Sequence, residues 1–201
     1  EQLCLAHTYG SGGDESCENT VRAVENFLFG QTVDHYAALS MDAVPILADL
    51  VGGVPVTIDT DMTAVDPRLI EGETVTLEGE LALSYVRARQ IVSDGTNQSR
   101  MARQEQFLRA AWEAWKEKTA SGDAVELGTD ALVSLGERLR SDCTVQKLSR
   151  FLERTEQCDL TVLPAPAGEA KISEESIAEF YVDDDALEQT VLKLFYREEI
   201  S

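Results

Sequence analysis

Apolar residues recur at three- and four-residue intervals along most of this chain, with short alternating runs between those stretches. Val21, Val24, Phe27 and Leu28 fall on one face of a helix over 16–29, which Ser16 caps and Gly30 ends. Residues 33–40 read as a strand. Asp42 opens a second helix that tolerates Pro45 in its first turn and stops at Gly52-Gly53. Residues 54–58 read as a strand near a sheet edge, because Pro55 has no N–H to give to a ladder. A polar loop over 60–75, around Pro67 and Gly72, leads to a helix over 78–87 with Leu81, Ala82 and Tyr85 on one face.

A loop from Gln90 to about Asn97 precedes a long helix over 98–119, whose expected core face is Met101, Leu108, Trp112 and Trp115. Further helices are predicted over 129–140 and over 144–156, the second opened by Thr144. A short strand over 160–163 is closed by Pro164 and Pro166. Another near 180–182 runs into a final helix opened by Asp183. No internal repeat and no disordered linker is visible. Strands alternating with helices indicate an α/β layered fold.

At 201 residues the chain fits one domain, or one domain with an appended lobe. With 43% hydrophobic and 27% charged residues it reads as a soluble globular protein, and its apolar runs fall well short of a membrane span. Glu1-Gln2-Leu3-Cys4 has no basic region leading an apolar one, so the expectation is a cytoplasmic protein or a piece trimmed of its targeting segment. A net charge of −20 argues against nucleic acid as a general partner, which requires a basic face. Cys4, Cys17, Cys143 and Cys158 include no Cys-x-x-Cys pair, and His7 and His35 lie apart, which argues against zinc. The cysteines form two local pairs. Cys4–Cys17 with Cys143–Cys158 is the simplest bridging pattern, and four buried free thiols is the equal alternative.

One stretch departs from the acidic background. Arg87, Arg89, Arg100 and Arg103 are four of the 17 basic residues of the chain, and Asp94 is the one acid between Arg87 and Gln104. Guanidinium groups bind phosphate and carboxylate bidentately, so a cationic cluster with so little local compensation is a candidate anion site. Arg100, Arg103, Gln104 and Phe107 stand at i, i+3, i+4 and i+7 and share a helix face. Arginine in an opening helical turn costs a few tenths to about 1 kcal/mol, so an offsetting partner is expected: Asp94, a bound phosphate, or both. Other acids have plainer readings. Asp59, Asp61 and Asp66 lack the remaining ligands of a calcium loop and read as a solvated turn. Asp183, Asp184 and Asp185 suit a helix start. His35 reads as a packed strand residue, and His7 has no catalytic partner in view.

The ordered series of motifs resembles the LytR–CpsA–Psr envelope proteins. It begins with Ala6-His7-Thr8-Tyr9-Gly10 and continues through Thr20-Val21, Val24-Glu25-Asn26, Leu28 and Gly30, then Val33-Asp34-His35-Tyr36 and Gly52-Gly53-Val54. It closes with Leu77, Gly79-Glu80, Ala82-Leu83, Tyr85-Val86-Arg87-x-Arg89 and Arg100-x-x-Arg103-Gln104. The likeness covers residues from about 5 to 115. It implies a three-layer α/β/α sandwich with a central mixed sheet, expected here over 1–120, followed by a mainly helical extension over 121–201.

The resemblance further implies a phosphotransferase at the outer face of the cytoplasmic membrane of Gram-positive-type cells. Such proteins move a glycopolymer (teichoic acid, capsule or another glycan) from a polyprenyl-pyrophosphate carrier onto peptidoglycan. By motif, Arg87, Arg89, Arg100, Arg103 and Gln104 correspond to pyrophosphate-contacting positions, with Arg89, Arg100 and Asp94 in catalytic roles. Asp94 lies six residues before Arg100, where the family spacing is three. Mg²⁺ is expected for the family, with its aspartate ligands, a further arginine and the membrane-associating segment placed ahead of the Tyr-Gly motif and so outside this chain. The expectation is therefore the pyrophosphate half of an active centre, without the metal half. A secreted family also makes the two local disulfides the expected state. Two further readings accompany the enzyme: a non-catalytic binder of phosphorylated polyprenyl lipid or glycan, and a transcriptional attenuator, which the charge of −20 and the lack of a helix-turn-helix weigh against.

Overall fold

The computed structural model describes residues 3–89, 97–120, 124–155, 158–172 and 178–196, with backbone alone at residues 4, 97, 124 and 178. In chain order the elements are a 3-10 turn Leu3–Tyr9, α1 (Asp14–Phe27), β1 (Ala37–Leu39), α2 (Ala43–Leu50), β2 (Val54–Thr57), β3 (Thr74–Leu77), α3 (Gly79–Arg87), α4 (Asn97–Ala120), α5 (Ala124–Leu135), a 3-10 turn Gly136–Arg138, β4 (Leu139–Ser141), α6 (Val145–Thr155), β5 (Gly168–Ile172), β6 (Ala178–Val182) and α7 (Asp184–Phe195). The class is α/β. The described strands pair as three antiparallel two-stranded ladders, β1 with β4, β2 with β3 and β5 with β6.

The chain divides into two compact units, Ala37–Val162 and Glu1–Tyr36 with Leu163–Ser201. The first holds the main core: Ala48, Val54, Val56, Ile58, Met62, Leu69, Leu77, Leu81, Ala82, Tyr85 and Val86, with Phe107, Ala110 and Ala111 of α4 packed against them. Alternation on β2 buries Val54 and Val56 and exposes Pro55 and Thr57, and Val54 pairs with Leu77 across the ladder. The turn into β2 depends on Gly53. Its φ is 93°, and a Cβ there would stand 2.3 Å from Cγ2 of Thr76, so both the left-handed backbone and the close approach require glycine.

α3 is held at both ends by side chains of other helices. Oδ1 of Asp49 on α2 accepts the N–H of Gly79 at 2.8 Å, placing a carboxylate at the positive end of α3. At its other end the last carbonyls accept from α4, as described below. Lys118, near the end of α4, donates to the carbonyl of Leu50 at the C-terminus of α2. α4 therefore carries cations to the negative ends of two helices, the placement the helix dipole favours.

In the second unit, α1 starts at Asp14, two residues before the expected cap. Ser16 lies inside the helix, buried, and its Oγ accepts the N–H of Gly12 at 2.9 Å. Asp183 does cap α7, its Oδ1 accepting the N–H of Ala186 at 3.1 Å.

Several expectations require correction. The strand expected over 33–40 is confined to Ala37–Leu39, and His35 lies outside it and exposed. The helix expected over 129–140 runs Ala124–Leu135, because Gly136 takes φ 50° and the chain turns into β4. Residues 160–163 form no strand, whereas β5 does form where none was expected. Met101 and Leu108 are each 52% exposed and do not belong to the core; Phe107 takes that role on α4, with Trp112 and Trp115 half-buried. The expected disulfides do not form among the described residues: Cys17, Cys143 and Cys158 are free thiols, and the side chain of Cys4 lies outside the described residues. Cys17 is buried on α1, while the exposed Cys158 directs its sulfur to the carbonyl of Arg154, in the last turn of α6, at 3.5 Å.

Candidate functional site

The arginine-rich segment is built from the end of α3 and the start of α4. α3 forms because Leu81, Ala82, Leu83, Tyr85 and Val86 all bury while Glu80 sits in its first turn and Arg87 in its last, each charge suited to its end of the dipole. The helix ends at Ala88, whose ψ of 135° is extended, so the chain leaves α3 and carries Arg89 away from the helix axis. Arg87 and Arg89 are both exposed. Among the described residues neither side chain makes a hydrogen bond or an ion pair.

Arg100, Arg103 and Gln104 are differently placed. Arg100 is half-buried in the first turns of α4. Arg103 is 9% exposed, and its guanidinium reaches the end of α3: Nε donates to the carbonyl of Tyr85 at 3.4 Å and Nη2 to that of Ala88. The amide of Gln104 donates to the carbonyl of Val86 at 3.2 Å. The final carbonyls of a helix have no acceptor-filling partner within it, so these side chains supply what α3 lacks. Two residues further on, Gln106 Nε2 donates to the Thr57 carbonyl at 2.7 Å, while its Oε1 accepts the Tyr85 hydroxyl. Burial, followed by the nearby charge of Asp59, pushes the Tyr85 phenol up to about 12, with Arg103 opposing. Tyr85 is thus a neutral donor at any physiological pH.

The structure accordingly separates the five sequence candidates. Arg87 and Arg89 present unengaged guanidinium groups, Arg100 stands at the N-terminal end of α4, and Arg103 with Gln104 is directed into the α3–α4 contact. Asp94 lies outside the described residues. Gln106, two residues beyond Gln104 in the same sequence cluster, completes the junction. Among the described residues no set of three carboxylates converges within reach of one ion. Two acids of the 60–75 loop have duties of their own: Asp61 accepts the N–H of Thr63 at 3.1 Å, and Asp66 holds Arg68. No described helix is long and apolar enough to cross a membrane.

A family model described as the LytR_cpsA_psr family matches residues 2–191. The chain belongs to that family. Its curated relatives include a polyisoprenyl-teichoic acid–peptidoglycan teichoic acid transferase, TagU, of Bacillus mycoides, 26% identical over 192 residues, which are 94% of this chain and 60% of that protein. The cell wall biosynthesis protein LcpA of Corynebacterium glutamicum is 37% identical over 99 residues, 47% of this chain and 18% of that protein. Among solved structures, B. subtilis TagT superposes with a TM-score of 0.72 at 20% identity, covering 96% of this chain and 70% of that one. A second structure, TagT bound to LI-WTA, gives 0.71 at 19%, covering 96% and 69%. At such identities the structural likeness establishes the α/β fold alone. The family match spans both sequence segments expected on either side of residue 120, and the chain covers 60% of the length of the TagU relative.

Proposed function

We propose that this protein is a cell-envelope glycopolymer transferase of the phosphotransferase type, which takes a polymer from a polyprenyl-pyrophosphate carrier and attaches it to peptidoglycan at the outer cell surface. The observation that carries this reading is the pair Arg87 and Arg89. They are exposed, without side-chain partners among the described residues, and stand at the end of α3 in a protein of charge −20. Two guanidinium groups left uncompensated in such a background are suited to a ligand rich in negative oxygen. The teichoic acid transferase name of the TagU relative supplies the substrate class by analogy.

In this reading Arg87 and Arg89 donate to phosphate oxygens of the carrier. Arg100, in the opening turns of α4, adds its charge beside the helix N–H groups that already favour an anion. As the polymer phosphate is attacked by an acceptor hydroxyl, charge grows on the departing polyprenyl phosphate, and these donors stabilise it where it develops.

The test is transfer of a lipid-linked polymer to peptidoglycan by the full-length protein. Arg89→Ala is expected to lower turnover at least tenfold, as loss of one charged donor does. Carrier binding that persists in wild type without any turnover would instead establish a non-catalytic binder.

A further inference from the structure

The motif Arg100-x-x-Arg103-Gln104 reads naturally as a row of anion ligands, but the structure assigns Arg103 and Gln104 a different task. We infer that Arg103, assisted by Gln104, is a positioning residue that fixes the end of α3 and thereby sets the direction of Arg87 and Arg89. The inference rests on the proposed function for what those two arginines bind, and on the structure alone for how they are held.

The argument starts from the carbonyl inventory of α3. Its last carbonyls, from Ser84 on, lack intrahelical donors. The Ser84 carbonyl receives the N–H of Ala88 at 3.0 Å. Arg103 takes Tyr85 and reaches past the helix end to Ala88, and Gln104 takes Val86 between them. The three acceptors span the residues that carry Arg87 and Arg89, so a rigid fork on α4 holds the backbone on both sides of Arg87 and immediately before Arg89. A guanidinium suits this task because two of its N–H groups can meet two carbonyls at once, and its charge lies at the negative end of α3. Its 9% exposure also separates it from Arg87 and Arg89, which face solvent. Gln106 anchors the same stretch of α4 to Thr57 on β2 and to Tyr85, so the fork itself sits on a fixed base.

A ligand role and a positioning role differ in what a lysine can rescue. Lysine keeps the charge but has no planar fork, and glutamine keeps one amide donor without charge. The experiment compares wild type, Arg103→Lys and Arg103→Gln by titration with inorganic pyrophosphate and by amide hydrogen exchange. The expected result is that both variants weaken pyrophosphate binding by a similar factor, roughly tenfold. Exchange should quicken at residues 85–89 and stay at the wild-type rate over β2, β3 and α7. Near-wild-type affinity in Arg103→Lys, beside a loss in Arg103→Gln equal to that of Arg89→Ala, overturns the inference and makes Arg103 a direct ligand. Unchanged exchange at 85–89 in both variants overturns it as well. Should either variant fold poorly, Gln104→Met removes the Val86 contact alone and is expected to give a smaller acceleration over 86–88; no acceleration there counts against the inference. If wild type fails to bind pyrophosphate, the proposed function falls, while the exchange comparison still decides the role of Arg103.

Discussion

The turn around Asp66 and the junction around Arg87 are both charged surface segments standing on the same core, yet they resolve their charges in opposite ways. In the turn, Arg68 grips Asp66 with Nε at 2.8 Å and Nη2 at 2.9 Å, and the Arg68 N–H binds the same carboxylate at 3.0 Å. The side-chain hydrogen bond from Arg68 lowers the Asp66 carboxyl to about 2. Asp66 and Arg68 are each other's counterpart, two residues apart. At the junction, Arg87 and Arg89 face solvent with no described counterpart, while the neighbouring Arg103 is drawn inside to bind carbonyls. Local compensation marks the turn as structural. Its absence among the described residues marks the junction as a place suited to a ligand.

The two regions share a foundation, and removing it should loosen both. Leu77 is fully buried in the core cluster that holds Leu69 of the turn and Tyr85 of the junction, and Leu77→Ala is expected to lower stability by about 2–5 kcal/mol, measured by denaturant unfolding. A smaller loss confined to one region would show that the segments rest on separate supports.

Arg103→Met isolates the junction. Losing a buried cation that donates to two carbonyls should cost about 1.5–3 kcal/mol in the same measurement. Tyr85→Phe removes one hydroxyl and leaves Gln106 Oε1 without that donor, an expected cost of about 0.5–1.5 kcal/mol. This contribution has a pH signature. The folded-state phenol is raised from 10.0 to about 12, so the stabilisation is complete below pH 10 and is lost as pH rises through about 12. The stability difference between wild type and Tyr85→Phe should be flat to about pH 10 and shrink above it.

The smallest effect belongs to the turn. Arg68→Ala should return the Asp66 carboxyl from about 2 toward 3.8, read by NMR titration, with no change in pyrophosphate affinity. Because the folded value is depressed, the contribution of this contact is present above about pH 4 and fades as pH falls through about 2.

Much of the junction was legible in the sequence, for a physical reason. The helical spacing of Leu81, Ala82 and Tyr85, and of Arg100, Arg103 and Phe107, follows from burying one face, and both helices form where that periodicity places them. Charge counting also found the cluster. What spacing does not reveal is where a guanidinium points: Arg103 shares its face with Phe107, which packs on the core, and is drawn inward with it. Short strands were less legible. Thr74-Val75-Thr76-Leu77 alternates for only four residues after a polar turn, and β5 is exposed along its whole length, so neither leaves a strong pattern. The cysteine spacing was compatible with bridges or thiols, and the expectation of disulfides came from the resemblance rather than from the residues.

The central claim is that the uncompensated pair Arg87 and Arg89 forms an anion site for pyrophosphate. Titrating inorganic pyrophosphate into wild type and into the double variant Arg87→Ala/Arg89→Ala, at one fixed ionic strength, tests it most directly. The account predicts saturable binding to wild type, weakened at least tenfold in the double variant, with the melting temperature unchanged because neither side chain has a described partner to lose. Equal affinities in the two proteins would contradict it.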